Sequence, residues 1–204
     1  MKTLFIPAKV RLELDEKKVS SLKLPKNIAI AYSVQYKETA SEIRKILSKN
    51  HNITSFIQIL GCSSPKFPKQ TGAILLISSG KFHGISLALE TNLPIYIWEE
   101  NKLTKISDEE IELLRKKKKA AYLNFLNSKR VGILISTKPG QENLKKAMAI
   151  KNNLKNKNSY LFISNESNTN EFENFSEIKS WVNTACPRLD FNYSVINIKD
   201  LLSF

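Results

Sequence analysis

Short apolar runs of strand length alternate with stretches whose apolar residues recur every three or four positions, and the alternation occurs twice. Asn27-Ile28-Ala29-Ile30-Ala31-Tyr32-Ser33 predicts a buried strand. Gln35 follows it, and Ala40, Ile43, Ile46 and Leu47 then fall on one face of a helix predicted from Lys37 to Ser48. The next apolar run is Thr54 to Leu60. Further on, Arg130 to Ser136 repeats the strand, Thr137 to Gln141 the loop, Glu142 to Leu154 the helix and Ser159 to Ile163 the second strand. Strand, helix and strand in this order predict an α/β fold of two similar parallel-sheet βαβ units.

Additional elements extend the first unit. Ala73 to Ile77 and Ile95 to Trp98 read as strands, with a short helix at Ser86 to Thr91 between them. A helix from Asp108 to Leu126 leads into the second unit. Ser107 suits its N-cap, and Glu109 and Glu110 suit its first turn. The expected domains are 24–124 and 125–204, preceded by a lead-in over 1–23. Leu4-Phe5-Ile6 and Val10-Arg11-Leu12-Glu13-Leu14 in that lead-in look strand-like, yet they have no hairpin partner in the first unit.

The polar chemistry gathers where strands should end in loops, the usual place for it in α/β proteins. Two cysteines, the only ones, stand at such positions: Cys62 in Ile59-Leu60-Gly61-Cys62-Ser63 and Cys186 in Ala185-Cys186-Pro187-Arg188. A thiolate there can hold a metal or attack a substrate, whereas a buried reduced thiol is the plainer reading of either one alone. Ser79-Gly80-Lys81-Phe82-His83-Gly84 follows a buried strand, and its glycine, amides and lysine suit an anion. His83 could orient a substrate or ligate a metal, although a lone histidine is more often structural. Ser136-Thr137-Lys138-Pro139-Gly140-Gln141 packs hydroxyls, a cation, a turn and an amide ahead of a helix, which suits a carboxylate or phosphate or makes a well-formed turn. It lacks the spacing of a phosphate-binding Walker loop. A nucleophilic cysteine would need a base, and His51 and His83 are the only histidines.

Composition changes this picture little. A net charge of +13 invites nucleic acid, but only five of the 32 basic residues are arginine, the residue that reads bases best. No direct nucleic-acid binding is expected. The run Arg115-Lys116-Lys117-Lys118-Lys119 falls in a predicted helix and reads as a solvated face or as a docking patch for an acidic or ribonucleoprotein partner. No export signal or membrane-length apolar stretch is evident, so a cytoplasmic protein with no membrane partner and no disulfide framework is expected.

ILGCS, SGKFHG, STKPGQ and ACPRLD, in this order and at these separations, resemble the diphthamide-synthesis family of archaeal type. The resemblance spans about Leu4 to Leu201. It implies the second and third domains of a triplicated α/β fold in which each domain gives one cysteine to a [4Fe–4S] cluster. The cluster binds S-adenosylmethionine and yields a 3-amino-3-carboxypropyl radical, which adds to a histidine of translation elongation factor 2. By the same resemblance Cys62 and Cys186 are cluster ligands. Gly80, Lys81, His83, Ser136, Thr137, Lys138, Gly140, Gln141 and Arg188 surround the cofactor. The first domain and its cysteine have no counterpart here. The reading is therefore a split enzyme completed by a first-domain polypeptide or a homologous subunit, with a dimer as another arrangement. An accessory subunit, a decayed gene product, or an anion- or nucleotide-binding module docked on the translation machinery are the alternatives.

Overall fold

The apolar run at Asn27 forms β1 (Asn27–Tyr32) in the computed structural model, which describes residues 4, 6, 8–10, 12–60, 63–166, 169–187 and 194–201. Every residue of β1 after Asn27 is buried, because it is the second strand from the edge of a sheet covered on both faces. A single-turn helix, α1 (Glu16–Ser20), precedes it, and α2 (Lys37–Leu47) follows it. Thr39, Ala40, Ile43 and Leu47 are the buried stripe of α2, the face that the sequence spacing implied. Then come β2 (Asn52–Gln58), β3 (Ala73–Ile77), α3 (Phe82–Thr91), β4 (Ile95–Glu99) and β5 (Lys102–Lys105). Their sheet runs β2-β1-β3-β4-β5, parallel except for β5, which is antiparallel to β4.

The chain divides into two compact units, Met1–Glu112 and Leu113–Phe204. Helix α4 (Asp108–Asn127) carries the chain from one to the other. The second unit contains β6 (Arg130–Ser136), α5 (Leu144–Asn153), β7 (Asn158–Ser164), a 3-10 stretch at Thr169–Phe175, β8 (Ser180–Asn183), β9 (Val195–Asn197) and α6 (Ile198–Leu201). Its sheet runs β7-β6-β8-β9, all parallel. In chain order both sheets place the second strand outside the first and the third and fourth on its other side. The expected fold class, α/β with two parallel βαβ units, is the one observed.

Each sheet is sandwiched between apolar layers. In the first unit Ile28, Ile30, Leu75 and Ile77 pack beneath α2, and Ala29, Ala31, Ile74 and Leu76 pack with Leu87 and Ala88 of α3. In the second, Val131, Ile133 and Ile135 pack with Ala121 and Phe125 of α4 and Ala147 of α5. On the opposite face Trp181 lies over Gly132, where a Cβ would come within 2.2 Å of the indole. Phe172 stacks on that indole at 4.2 Å between ring centres.

Three expectations need correction. The described residues of the lead-in, Leu4, Ile6, Val10 and Leu12–Leu14, form no strand. Asn101 takes the backbone groups a ladder would use: its amide donates to the Glu13 carbonyl (2.8 Å) and its oxygen accepts from the Asp15 N–H (3.0 Å). Helix α3 starts at Phe82 rather than Ser86, because Gly84 belongs to its first turn and lets the helix close on β4. A Cβ at Gly84 would stand 2.9 Å from Ile97 Cδ1. Helix α5 starts at Leu144 rather than Glu142, after Gly140 turns the chain with φ of 78°.

Candidate functional site at the carboxyl ends of the strands

In each sheet the chain leaves one inner strand toward one edge and its neighbour toward the other. Such a switch point opens a crevice beyond the carboxyl ends of the two strands. In the second unit these strands are β6 and β8, and their loops are Ser136 to Gln141 and Thr184 to Pro187. Sequence reasoning singled out both loops, and the fold sets them side by side.

Cys186 is half-buried, and a scaffold of buried polar groups fixes its turn. The Asn183 side chain, 1% exposed, donates to the Cys186 carbonyl (3.0 Å) and to Asn197 Oδ1 (2.7 Å), and accepts from the Ala185 N–H (2.9 Å). The Thr184 hydroxyl donates to the Leu134 carbonyl (2.7 Å), tying the same turn to β6. Asn143 joins the two loops: its amide donates to the Thr184 carbonyl at 2.9 Å. Asn143, Asn183 and Thr184 were not among the predicted site residues. The one signal for Asn183 and Thr184 was polar side chains closing an apolar strand just before a cysteine, and Asn143 gave none.

The neighbouring loop is folded by its own atoms. Ser136 is buried, and its hydroxyl accepts from the Lys138 N–H (3.1 Å). The Thr137 N–H reaches the Ser164 carbonyl of β7 (3.0 Å). The Gln141 N–H closes the turn on the Lys138 carbonyl (3.0 Å), with Gly140 in the left-handed region. Lys138 Nζ lies 2.8 Å from the exposed carboxylate of Glu166. Helix α5 begins here with no side chain capping its first amides, which leaves the positive end of its dipole directed at this loop. Arg188 lies outside the described residues.

Gly61 and Cys62 also lie outside the described residues, but Leu60 and Ser63 on either side are joined in a turn, the Ser63 N–H reaching the Leu60 carbonyl (3.0 Å). The Ser63 hydroxyl accepts from the Leu60 N–H (2.9 Å) and donates to the Leu60 carbonyl (2.7 Å). A cavity of about 20 Å³ beside this turn is lined by Leu60, Ser63, His83 and Glu90. His83 is thus buried on α3, 8% exposed, next to the residues that bracket Cys62. Gly80 has φ of 71°, and its N–H donates to the Glu99 carboxylate (3.0 Å). Lys81 pairs with Glu110 at 2.7 Å. The ammonium of Lys81, and then the Ser107 N–H, hold the Glu110 carboxyl below its ordinary range. Both groups once read as anion binders therefore already have a protein carboxylate.

The two cysteines do not occupy matching places. Cys62 follows β2, the second strand of its unit, whereas Cys186 follows β8, the third. The units repeat, but their thiols do not. Among the described residues no three His, Cys, Asp or Glu side chains gather as a metal site. No described helix is long and apolar enough to cross a membrane.

The sequence profile of the diphthamide synthesis protein family matches residues 1–195. The chain belongs to this family. Among its diphthamide-synthesis relatives is 2-(3-amino-3-carboxypropyl)histidine synthase of Pyrococcus horikoshii, 26% identical over 204 residues, covering 92% of this chain and 59% of that protein. Subunit 1 of the same-named enzyme in Schizosaccharomyces pombe is 26% identical, covering 95% of this chain and 49% of that one. The crystal structure of Pyrococcus horikoshii Dph2 with a 4Fe-4S cluster superimposes with a TM-score of 0.74 at 25% identity, covering 87% of this chain and 56% of Dph2. The chain thus spans between about half and three-fifths of the length of these diphthamide-synthesis relatives.

Proposed function

We propose that the chain acts in cytoplasmic diphthamide biosynthesis. In this reading it helps transfer the 3-amino-3-carboxypropyl group of S-adenosylmethionine to a histidine of translation elongation factor 2. The observation that carries the proposal is the turn at Cys186: a fully buried asparagine spends its whole side chain holding a half-exposed thiol at a switch point. A merely packed cysteine needs no such support.

The donor set fits a [4Fe–4S] cluster in chemistry but not in number. Cys62 and Cys186 supply two soft thiolates, and the chain has no third. The reading therefore needs a third thiolate from outside residues 1–204, and the arrangement proposed is a split enzyme in which a first-domain polypeptide supplies it. When bound, such a cluster supplies the electron for reductive cleavage of the sulfonium carbon–sulfur bond. This chain's residues bind and orient. The free amides at the start of α5 and the ammonium of Lys138 face the amino-acid carboxylate, with Lys138 exchanging Glu166 for it. Arg188 adds a second cation. Gly140 and Gln141 shape the loop, while Ser136 and Thr137 anchor it to the sheet. His83 buttresses the turn that carries Cys62, and Gly80 and Lys81 brace the neighbouring loop through Glu99 and Glu110.

Anaerobic reconstitution with iron and sulfide tests this proposal. The chain alone should take up little cluster, and co-expression with a first-domain polypeptide should give a brown complex active on elongation factor 2. Cys62→Ala and Cys186→Ala should each abolish both colour and activity. A fully loaded, active chain on its own would refute the split enzyme, and a colourless complex would favour an accessory or binding role.

A further inference from the structure

Two adjoining hollows lie at the amino-terminal end of the second sheet, the end opposite Cys186. One, of about 570 Å³, is lined by Asn127, Lys129 and Lys179. The other, of about 440 Å³, is lined by Tyr160, Phe162 and Phe175. Arg130 and Glu177 belong to both, so the hollows form one groove with a cationic half and an aromatic half.

The aromatic half is rigid behind and open in front. Phe162 packs edge-on against Phe175 and Trp181, each at 4.7 Å, and Phe172 backs Trp181. Phe175 and Tyr160 remain 43% and 46% exposed, leaving ring surface for a flat ligand. The cationic half stands at the carboxyl end of α4, whose dipole would repel an anion. That objection is met locally: Lys157 Nζ donates to the carbonyls of Leu126 and Ser128, both at 2.8 Å, and so covers the helix end. Arg130 is held by the exposed carboxylate of Glu177, an internal anion that a ligand can displace.

We propose that this groove binds a phosphorylated nucleoside, its base stacked on Tyr160 and Phe175 and its phosphate beside Lys129, Lys179 and Arg130. A ring next to a phosphate is the repeating unit of single-stranded RNA and equally a free nucleotide, and both present this chemistry. The composition argued against nucleic acid because only five of the 32 basic residues are arginine; the fold sets one of those five, Arg130, beside two lysines and a cluster of aromatic rings. The site is separate from the cysteine end of the sheet and does not rest on the transferase reading.

Fluorescence anisotropy of a labelled single-stranded oligoadenylate with the full chain tests it, with AMP and inorganic phosphate as competitors. Phe175→Ala and Tyr160→Ala should each weaken binding about five- to tenfold or more, the usual loss of one stacked base. Lys179→Glu should weaken it and Glu177→Gln tighten it. Lys116→Glu, on the exposed face of α4, should leave it unchanged. Displacement by AMP identifies a free-nucleotide site; binding of the oligomer without displacement by AMP identifies an RNA site. Far-UV circular dichroism must match the parent for at least one aromatic variant, and both aromatic residues are half-exposed, so both should fold. The proposal is overturned if nothing binds, if inorganic phosphate competes as well as AMP, or if folded aromatic variants bind normally while Lys116→Glu weakens binding as much as Lys179→Glu.

Discussion

Asn183 is a single side chain on which a candidate site depends. Its side chain is buried, the bond it accepts from the Ala185 N–H is buried and the two it donates are partly so, and Asn183→Ala strands the Ala185 N–H and an Asn197 oxygen. Each orphaned buried group costs about 1–3 kcal/mol, and the variant should lose about 2–4 kcal/mol in urea unfolding. Its Cys186 should also react at a changed rate with a thiol reagent, because the turn is no longer fixed. An unchanged midpoint together with unchanged reactivity would remove Asn183 from this role. Gly132 makes the opposite demand: Gly132→Ala drives a methyl into the Trp181 indole. Overpacking of this kind costs about 1–3 kcal/mol, and a thermal melt should show it. The two cysteines were legible in the sequence because cysteine is rare here and each ends an apolar run. Asn183 was not, since an asparagine after a strand looks like an ordinary turn residue until Asn197 and the Cys186 carbonyl are seen beside it.

Strong periodicity made the long elements readable. β1, α2, β3, α4 and β6 begin and end within a residue or so of expectation. β5 and β9 escaped because runs of three or four residues carry no usable period, and β8 showed only as the apolar run ahead of Cys186. β5 also lacks the usual hairpin signal: its turn is Glu100-Asn101, both with positive φ and neither a glycine. The start of α4 was legible for a mechanical reason. Ser107 Oγ accepts from the Glu110 N–H (3.3 Å) while Glu110 accepts from the Ser107 N–H (3.0 Å), a reciprocal capping box. Ser107→Ala should cost about 1 kcal/mol. The same carboxylate links this cap to Lys81. Because the fold lowers the pKa of Glu110 from 4.5, its contribution is complete above that value and is lost as the pH falls through the lowered one. The stability gap between the parent and Lys81→Met should therefore narrow on acidification from about pH 6 to about pH 3. It should be small throughout, since the Lys81 side chain is half-exposed. A gap that widens in acid would contradict this assignment of the pair.

At the scale of the whole chain, the repeat was visible because each unit buries both faces of a parallel sheet and so writes continuous apolar runs. The repeat hid a difference, the placement of the thiols after the second strand in one unit and after the third in the other. In the split-enzyme proposal the two thiolates, in non-equivalent positions, are part of a site. That proposal requires a first-domain polypeptide that binds only the folded chain, and such a ligand raises stability by mass action, about 2.7 kcal/mol at a hundredfold excess over its Kd. Adding a first-domain polypeptide should raise the melting temperature of this chain in a concentration-dependent way, even without iron. Cys62→Ala and Cys186→Ala should keep that rise but forfeit the further rise on adding iron and sulfide. The two steps separate assembly from cluster binding. A chain whose melting temperature ignores the first-domain polypeptide at every concentration is not its partner, whatever cluster either one carries.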